Sequence, residues 1–239
     1  MDSFQNRLMV PTRPDIAVLR TVAIFEGLED RVLAQIAAIS EAQAVPAGFQ
    51  VQRQGAANSP FCILLSGQIS FFRTAPDGTV TVVEVLQPSG HAGLQSVLTL
   101  LPALVGIETV APSRVILVEA LGLRLALARE GSLATALLRA EAQNLRAMIL
   151  QVCDLKLRTT AQRLGHYLLT LAPDHAGESA AFRLPFDKRL LAARLGCRQE
   201  NLSRAFATLR EVGVETHGAR VELKNIPRLR DYAVAFDGI

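Results

Sequence analysis

The sequence predicts an α+β chain in three parts: an N-terminal antiparallel β barrel of jelly-roll type, a long helix, and a C-terminal winged helix-turn-helix. Three patterns predict it. Short apolar or alternating runs at 49–53, 61–65, 69–73, 79–86, 106–110 and 113–119 are separated by Gly- and Pro-containing turns, as in a small antiparallel barrel. The stretch 132–157 has no Gly or Pro and repeats its apolar residues at helical spacing,. Beyond it, two short helical patterns flank Gly196 and precede a hairpin-like pair of runs,.

Ahead of the barrel, from 15 to 44, Val18, Leu19, Val22 and Phe25, then Leu28, Val32, Leu33 and Ile36, recur at helical spacing and predict two or three short helices,. Inside the barrel, Thr74-Ala-Pro-Asp-Gly78 reads as a hairpin turn,. In the long helix, Leu138, Ala142, Leu145, Ile149 and Val152 repeat with the four-three spacing of a coiled-coil seam,. A helix packed on its own domain's core would show the same periodicity; its place between two domains favours a homodimer seam. A second helix is expected at 160–171, then a polar loop at 172–178 and a strand at 181–184. The expected domains are residues 1–131 (helices and barrel), 132–158 (dimerisation helix) and 159–239 (winged helix-turn-helix).

The stretch 186–225 carries the most chemistry. Asp187 can cap a short helix with Leu190, Leu191 and Leu195 facing inward,. Gly196 supplies the turn, and 198–212 forms a second helix with Leu202, Phe206 and Leu209 inward. The outer face then presents Arg198, Gln199, Glu200, Ser203 and Arg204, with Lys188 on the first helix. These are groups suited to base edges and phosphates, in the helix that a helix-turn-helix places in the major groove. Runs at 213–215 and 220–223 flank a His217-Gly218 turn and predict a small wing.

The net charge of +3 over 239 residues is unevenly placed. Residues 1–158 carry 13 basic and 13 acidic side chains, whereas 159–239 carry 12 and 9. A local cationic cluster is what phosphate neutralisation needs, so double-stranded DNA is the expected partner. Two amphipathic helices with a solvated basic face, contacting protein instead of DNA, are the alternative.

Other classes fall away on composition. Half of the residues are hydrophobic, too many for a disordered chain,. Three cysteines far apart, Cys62, Cys153 and Cys197, make no disulfide framework,. No apolar run reaches the roughly 18–20 residues of a membrane span, and the first residues lack the pattern of a signal peptide. A cytoplasmic protein is expected, with no membrane partner. An enzyme built on such a barrel would need clustered metal ligands, yet the strands offer only Glu84, Glu108 and Glu119 and no His,. No Ser–His–Asp spacing or phosphate loop stands out either. The expectation is a non-enzyme.

Gln199-Glu-Asn-Leu-Ser-Arg204 resembles the recognition-helix motif of the Crp/Fnr family of bacterial transcription regulators. Phe25-Glu-Gly-Leu28, Val45-Pro-Ala-Gly48 and Ile63-Leu-Leu-Ser-Gly67 resemble its cyclic-nucleotide-binding-like barrel, and the order of parts matches across about 25–232. The resemblance implies a homodimer on an inverted repeat with TTGA-like half-sites, with RNA polymerase as a partner if the protein activates. It implies that Arg204 meets guanine O6 and N7, Glu200 a cytosine amino group and Ser203 a thymine, pairings that make chemical sense. Arg198 and Gln199 would hold phosphates.

The resemblance also frames the effector. Where cyclic-nucleotide-binding members carry an Arg-Ser/Thr-Ala segment, this chain has Ala103-Leu104-Val105, and Gly90 is followed by His91 instead of an acid. A buried phosphate would lack its counter-charge, so cyclic AMP is not the expected ligand. The N-terminus has no cysteine cluster for iron–sulfur ligation,. Apolar neighbours predict that Cys62 and Cys153 are buried structural thiols, and Cys197 falls in the helix-turn-helix turn. The apolar set around Val83, Leu94, Val97, Leu98, Leu101 and Leu104 suggests a pocket. In some family members such a pocket holds haem for sensing diatomic gases, and His91 is then the candidate axial ligand, with a surface-loop histidine as the alternative reading. His166, His175 and His217 are poorer candidates. The segment from Leu184-Pro-Phe-Asp-Lys188 to Phe206 most resembles the nitric-oxide-responsive branch that controls denitrification genes.

Overall fold

The computed structural model describes residues 11–173, 177–184 and 187–234. The chain divides into two compact units, Met1–Asn144 and Leu145–Ile239, and the division falls inside the longest helix.

In the first unit, α1 (Ile16–Arg20), a 3-10 turn (Ala23–Phe25) and α2 (Asp30–Ala38) precede the strands. The strands are β1 (Ser40–Val45), β2 (Gln50–Gln52), β3 (Phe61–Ser66), β4 (Ile69–Thr74), β5 (Val80–Leu86), β6 (His91–Ala92), β7 (Gly106–Thr109) and β8 (Ser113–Val118). Helix α3 (Leu94–Thr99) lies between β6 and β7, and α4 (Ala120–Arg129) leads into α5 (Gly131–Leu157). Two four-stranded antiparallel sheets, in the orders β1-β8-β3-β6 and β2-β7-β4-β5, make the jelly roll. The Thr74–Gly78 turn closes the β4–β5 hairpin, where Asp77 Oδ1 accepts from the Thr79 amide.

Strand β3 explains the layering. Its first four residues, Phe-Cys-Ile-Leu, are all buried, although alternate side chains of a strand point to opposite faces,. Phe61 and Ile63 join Phe25, Leu33, Ile36, Ile116 and Leu123 in a core beneath the helices. Cys62 and Leu64 join Val45, Ile69, Ile107 and Val115 between the two sheets. A strand covered on both sides reads as a continuous apolar run. Burial pushes the Cys62 thiol up to about 12, so it is a packing residue.

The structure departs from expectation at 40–45, where the helical reading gives way to β1, paired residue for residue with β8. The alternation of small and polar side chains there suits an edge strand. Helices α3 and α4 and the two-residue β6 are additional.

In the second unit, α6 (Thr160–Leu171) opens with a capping box between Thr159 and Gln162,. Strand β9 (Ala180–Arg183), α7 (Lys188–Arg194), α8 (Gln199–Arg210), β10 (Val214–His217), β11 (Arg220–Leu223) and α9 (Ile226–Val234) follow. The three strands form one antiparallel sheet in the order β10-β11-β9. Leu164, Leu168, Leu191, Leu202, Phe206, Leu209, Val221 and Leu229 pack in its core.

One polar lock holds the first unit's helices. Glu130, at the end of α4, accepts from Nη1 and Nη2 of Arg31 and from Gln35, both on α2. The hydrogen bond from Arg31, then that from Gln35, holds the Glu130 carboxyl below the usual carboxylate range. A carboxyl lowered in the folded chain stabilises fully above its unfolded-chain pKa, and that contribution disappears as pH falls through the lowered folded value. Thermal melts taken from neutral pH down through the carboxylate range are expected to show Glu130→Gln melting lower at neutral pH and losing less on acidification. Superimposable profiles of the two proteins would remove this role.

Candidate nucleic-acid interface and sensor site

The helix-turn-helix forms as the residues dictate. The Asp187 carboxylate caps α7 by accepting from the Leu190 amide at 2.8 Å. Gly196 takes a left-handed φ of +61°, and a Cβ there would come within 2.6 Å of Leu155 Cδ2 on α5. The left-handed backbone favours glycine at the turn, and any side chain there would displace Leu155,. Arg163 of α6 fixes the same turn by donating from Nε to the Leu195 carbonyl at 3.1 Å. Arg198 is the N-cap residue of α8.

Helix α8 buries Leu202, Ala205, Phe206 and Leu209. Arg198, Gln199, Glu200, Ser203 and Arg204 are all exposed, as is Lys188 at the start of α7. The side chains of Glu200, Ser203 and Arg204 have no hydrogen-bond or ion-pair partner among the described residues. Of the basic cluster, Arg194 instead packs over the Tyr167 ring, 5.3 Å from its centroid. Cys197 is half-buried, and burial raises its thiol pKa against the lowering effect of Arg163. Cys153 departs from expectation: it is exposed on α5, because its own chain leaves that part of the helix uncovered.

On α5, Leu133, Leu137 and Ala140 are buried, with Glu141 and Asn144 half-buried on the same stripe. The predicted seam lies about a third of a turn away at 3.6 residues per turn. Leu138, Leu145, Ile149 and Val152 there are 49–71% exposed, and Ala142 is exposed too.

His91 is placed differently from expectation. It lies on β6, directly opposite Ile63, and Ala92 lies opposite Cys62. Residues opposite each other in a ladder share a face, so His91 takes Ile63's helix-covered side and Ala92 takes the barrel interior. The His91 side chain is 11% exposed; its Nε2 is 3.0 Å from Asn144 Nδ2 and 3.6 Å from Glu141 Oε1. Its ring meets Phe61 edge-on with centroids 5.6 Å apart.

These residues do not fit an axial haem site as arranged. The imidazole Nε2 is engaged by Asn144, and the side chain is only 11% exposed. Of the apolar set expected to line a pocket, Val83, Leu98, Leu101 and Leu104 are exposed, while Leu94 and Val97 belong to the core beneath the helices. At the segment aligned with the phosphate-binding arginine, Ala103 is buried and Leu104 is exposed. Arg73 Nη1 donates to the Leu104 carbonyl at 2.9 Å. Nearby, the buried Gln52 donates to the Val105 carbonyl, and its Oε1 has no partner among the described residues.

A sequence profile described as a Crp-like helix-turn-helix domain matches residues 162–232, and one described as a cyclic nucleotide-binding domain matches residues 42–130. The chain is a DNA-binding regulator of the Crp/Fnr type. It is 26% identical over 216 residues to a CRP-like cAMP-activated global transcriptional regulator of Mycobacterium tuberculosis, covering 89% of this chain and 96% of that protein. A Ruegeria pomeroyi structure described as a cyclic nucleotide binding protein is 28% identical, with a TM-score of 0.63 over 91% of this chain and 96% of that one. The structure of DNR from Pseudomonas aeruginosa is 26% identical, with a TM-score of 0.50 over 94% of this chain and 100% of that one.

In this Crp/Fnr-type regulator, no described helix is long and apolar enough to cross a membrane. His166 is half-buried on α6 and His217 is exposed at the end of β10, while His175 lies outside the described residues. Sequence reasoning missed Glu141, Asn144 and Gln52, polar residues whose contacts depend on which strand face turns toward them. Haem titration followed by the Soret band is expected to give the same spectrum for wild type and His91→Ala. A band lost in the variant would return His91 to the role of ligand.

Proposed function

We propose that this regulator is a homodimer that reads an inverted repeat with TTGA-like half-sites through α8, and that its effector is not cyclic AMP. The observation that carries the reading is the outer face of α8, where Glu200, Ser203 and Arg204 stand exposed and uncommitted opposite a fully buried apolar face. Arg204 donates in a fork to guanine O6 and N7, Glu200 accepts from the cytosine amino group, and Ser203 meets thymine. Arg198, Gln199 and Lys188 hold phosphates and set the register. Leu138, Ala142, Leu145, Ile149 and Val152 form the seam with the twin helix, which sets the two recognition helices about one DNA turn apart.

The Mycobacterium tuberculosis relative is cAMP-activated. A different effector is assigned here because Ala103, Leu104 and Val105 offer no cation to a cyclic phosphate. A small uncharged ligand or gas suits such a sensor. Nitric oxide is the one named by the resemblance to the denitrification branch, and the likeness to DNR goes with it. RNA polymerase is the further partner of an activator.

Arg204→Ala is expected to cost about 1–3 kcal/mol on the operator and much less on random DNA. Equal losses on both duplexes in a gel-shift titration would refute base reading. Ile149→Glu is expected to sediment as a monomer and to bind a full inverted repeat no better than a half-site. A dimer retained in that variant would place the seam elsewhere.

A further inference from the structure

His91 belongs to a polar cluster that DNA recognition does not use. The Asn144 amide nitrogen can only donate, so His91 Nε2 at 3.0 Å is its acceptor and carries a lone pair instead of a proton,. Glu141 Oε1 lies 3.6 Å from the same nitrogen, beyond hydrogen-bond reach,. Among the described residues this is the only polar group close to the Glu141 carboxylate, and no lysine or arginine pairs with it. A half-buried carboxylate thus faces an imidazole lone pair, and two electron-rich groups so placed repel unless a cation joins them. Glu141 and Asn144 are three residues apart on α5 and so share one face of that helix,. His91 comes from the barrel on β6, where its ring is 11% exposed and meets Phe61 edge-on. A helix and a paired strand therefore present the three side chains to one another.

We propose that His91, Glu141 and Asn144 form a site for one divalent transition-metal ion, which fastens β6 to α5. Two donors bound to one ion at about 2.1 Å stand roughly 3.0 Å apart at a right angle and roughly 3.4 Å apart in a tetrahedron. The separations of 3.0 and 3.6 Å in this cluster are of that size. A half-turn of the Asn144 amide puts its oxygen where its nitrogen stands and supplies the third donor. A haem needs open space over the imidazole, whereas a bare ion needs only the gap among neighbouring donors. Imidazole with carboxylate and amide oxygens suits Zn²⁺, Co²⁺ or Ni²⁺, while Mg²⁺ and Ca²⁺ take oxygen ligands. Three protein donors leave a coordination position for water. The charge of the ion balances the Glu141 carboxylate. His91 and Asn144 are 53 residues apart in the chain, so only the folded barrel assembles the site, and binding stabilises that fold,. All three residues lie in the first unit. The proposal goes beyond operator reading and the choice of effector, and depends on neither.

The test is a cobalt(II) titration of the full chain after chelator treatment, read by the visible d–d absorption of the bound ion. Wild type is expected to take up one cobalt per chain, to yield it to zinc and to keep it in excess magnesium. His91→Ala and Glu141→Gln should each weaken binding by at least about tenfold, the loss met when even an outer partner of a metal ligand is removed. Asn144→Asp, which adds a second carboxylate, should tighten binding, a gain that a damaged fold cannot produce. Cys153→Ser and His217→Ala change exposed groups that also attract such ions, and both should bind as wild type does. Zinc should raise the melting temperature of wild type and leave that of His91→Ala unchanged. A wild-type protein that takes up no cobalt overturns the proposal, as do His91→Ala and Glu141→Gln variants that bind at full strength. Binding lost in Cys153→Ser or His217→Ala, or no tighter in Asn144→Asp, overturns it equally.

Discussion

The structure depends on one constraint, that α5 must satisfy two apolar stripes with one helix. Leu133, Leu137 and Ala140 are covered by the first unit. Leu138, Leu145, Met148, Ile149, Leu150 and Val152 are left exposed. At about 25 cal/mol per Å² of apolar surface removed from water, each such side chain gains roughly 1.5–3 kcal/mol on full burial. Contiguous exposed apolar surface of this kind marks an interaction face. The covered stripe fixes the helix to its barrel, and the open one lies about a third of a turn away.

Much of this was legible in the sequence because periodicity and turn chemistry are local. The strands at 61–66, 69–74 and 80–86, the long helix, and both helices around Gly196 follow from apolar spacing, a capping Asp187 and a turn glycine. The outward set on α8 follows from the inward set, since a helix with Leu202, Phe206 and Leu209 buried has one face left to offer. Strand β1 was not legible, because Ser40-Glu-Ala-Gln-Ala-Val45 has weak apolar contrast and gains its strand character from pairing with β8. The surroundings of His91 were not legible either. Which face a two-residue strand turns outward is decided by its register against Ile63, more than twenty residues away, and a shift of one position would have sent His91 into the barrel,.

The two units show how a sensing event would have to be carried. Within the first unit, α5 meets the barrel at Glu141 and Asn144 through His91. Within the second, the same helix ends with Leu155 seated on the turn glycine of the helix-turn-helix. An effector shifts the equilibrium only by its differential affinity for the two states. Inverting a population from 1:99 to 99:1 takes about 5.5 kcal/mol. The His91–Asn144 hydrogen bond is worth on the order of 1 kcal/mol, and the 3.6 Å approach of Glu141 to the same ring adds at most about 0–1 kcal/mol,. Opening those contacts supplies a trigger and no more. The larger share must come from the effector's own differential contacts or from apolar surface changing its burial, and on this helix the exposed apolar residues run from Leu138 to Leu157,. A chain whose effector moved only the polar contacts would modulate DNA affinity by about 5- to 30-fold.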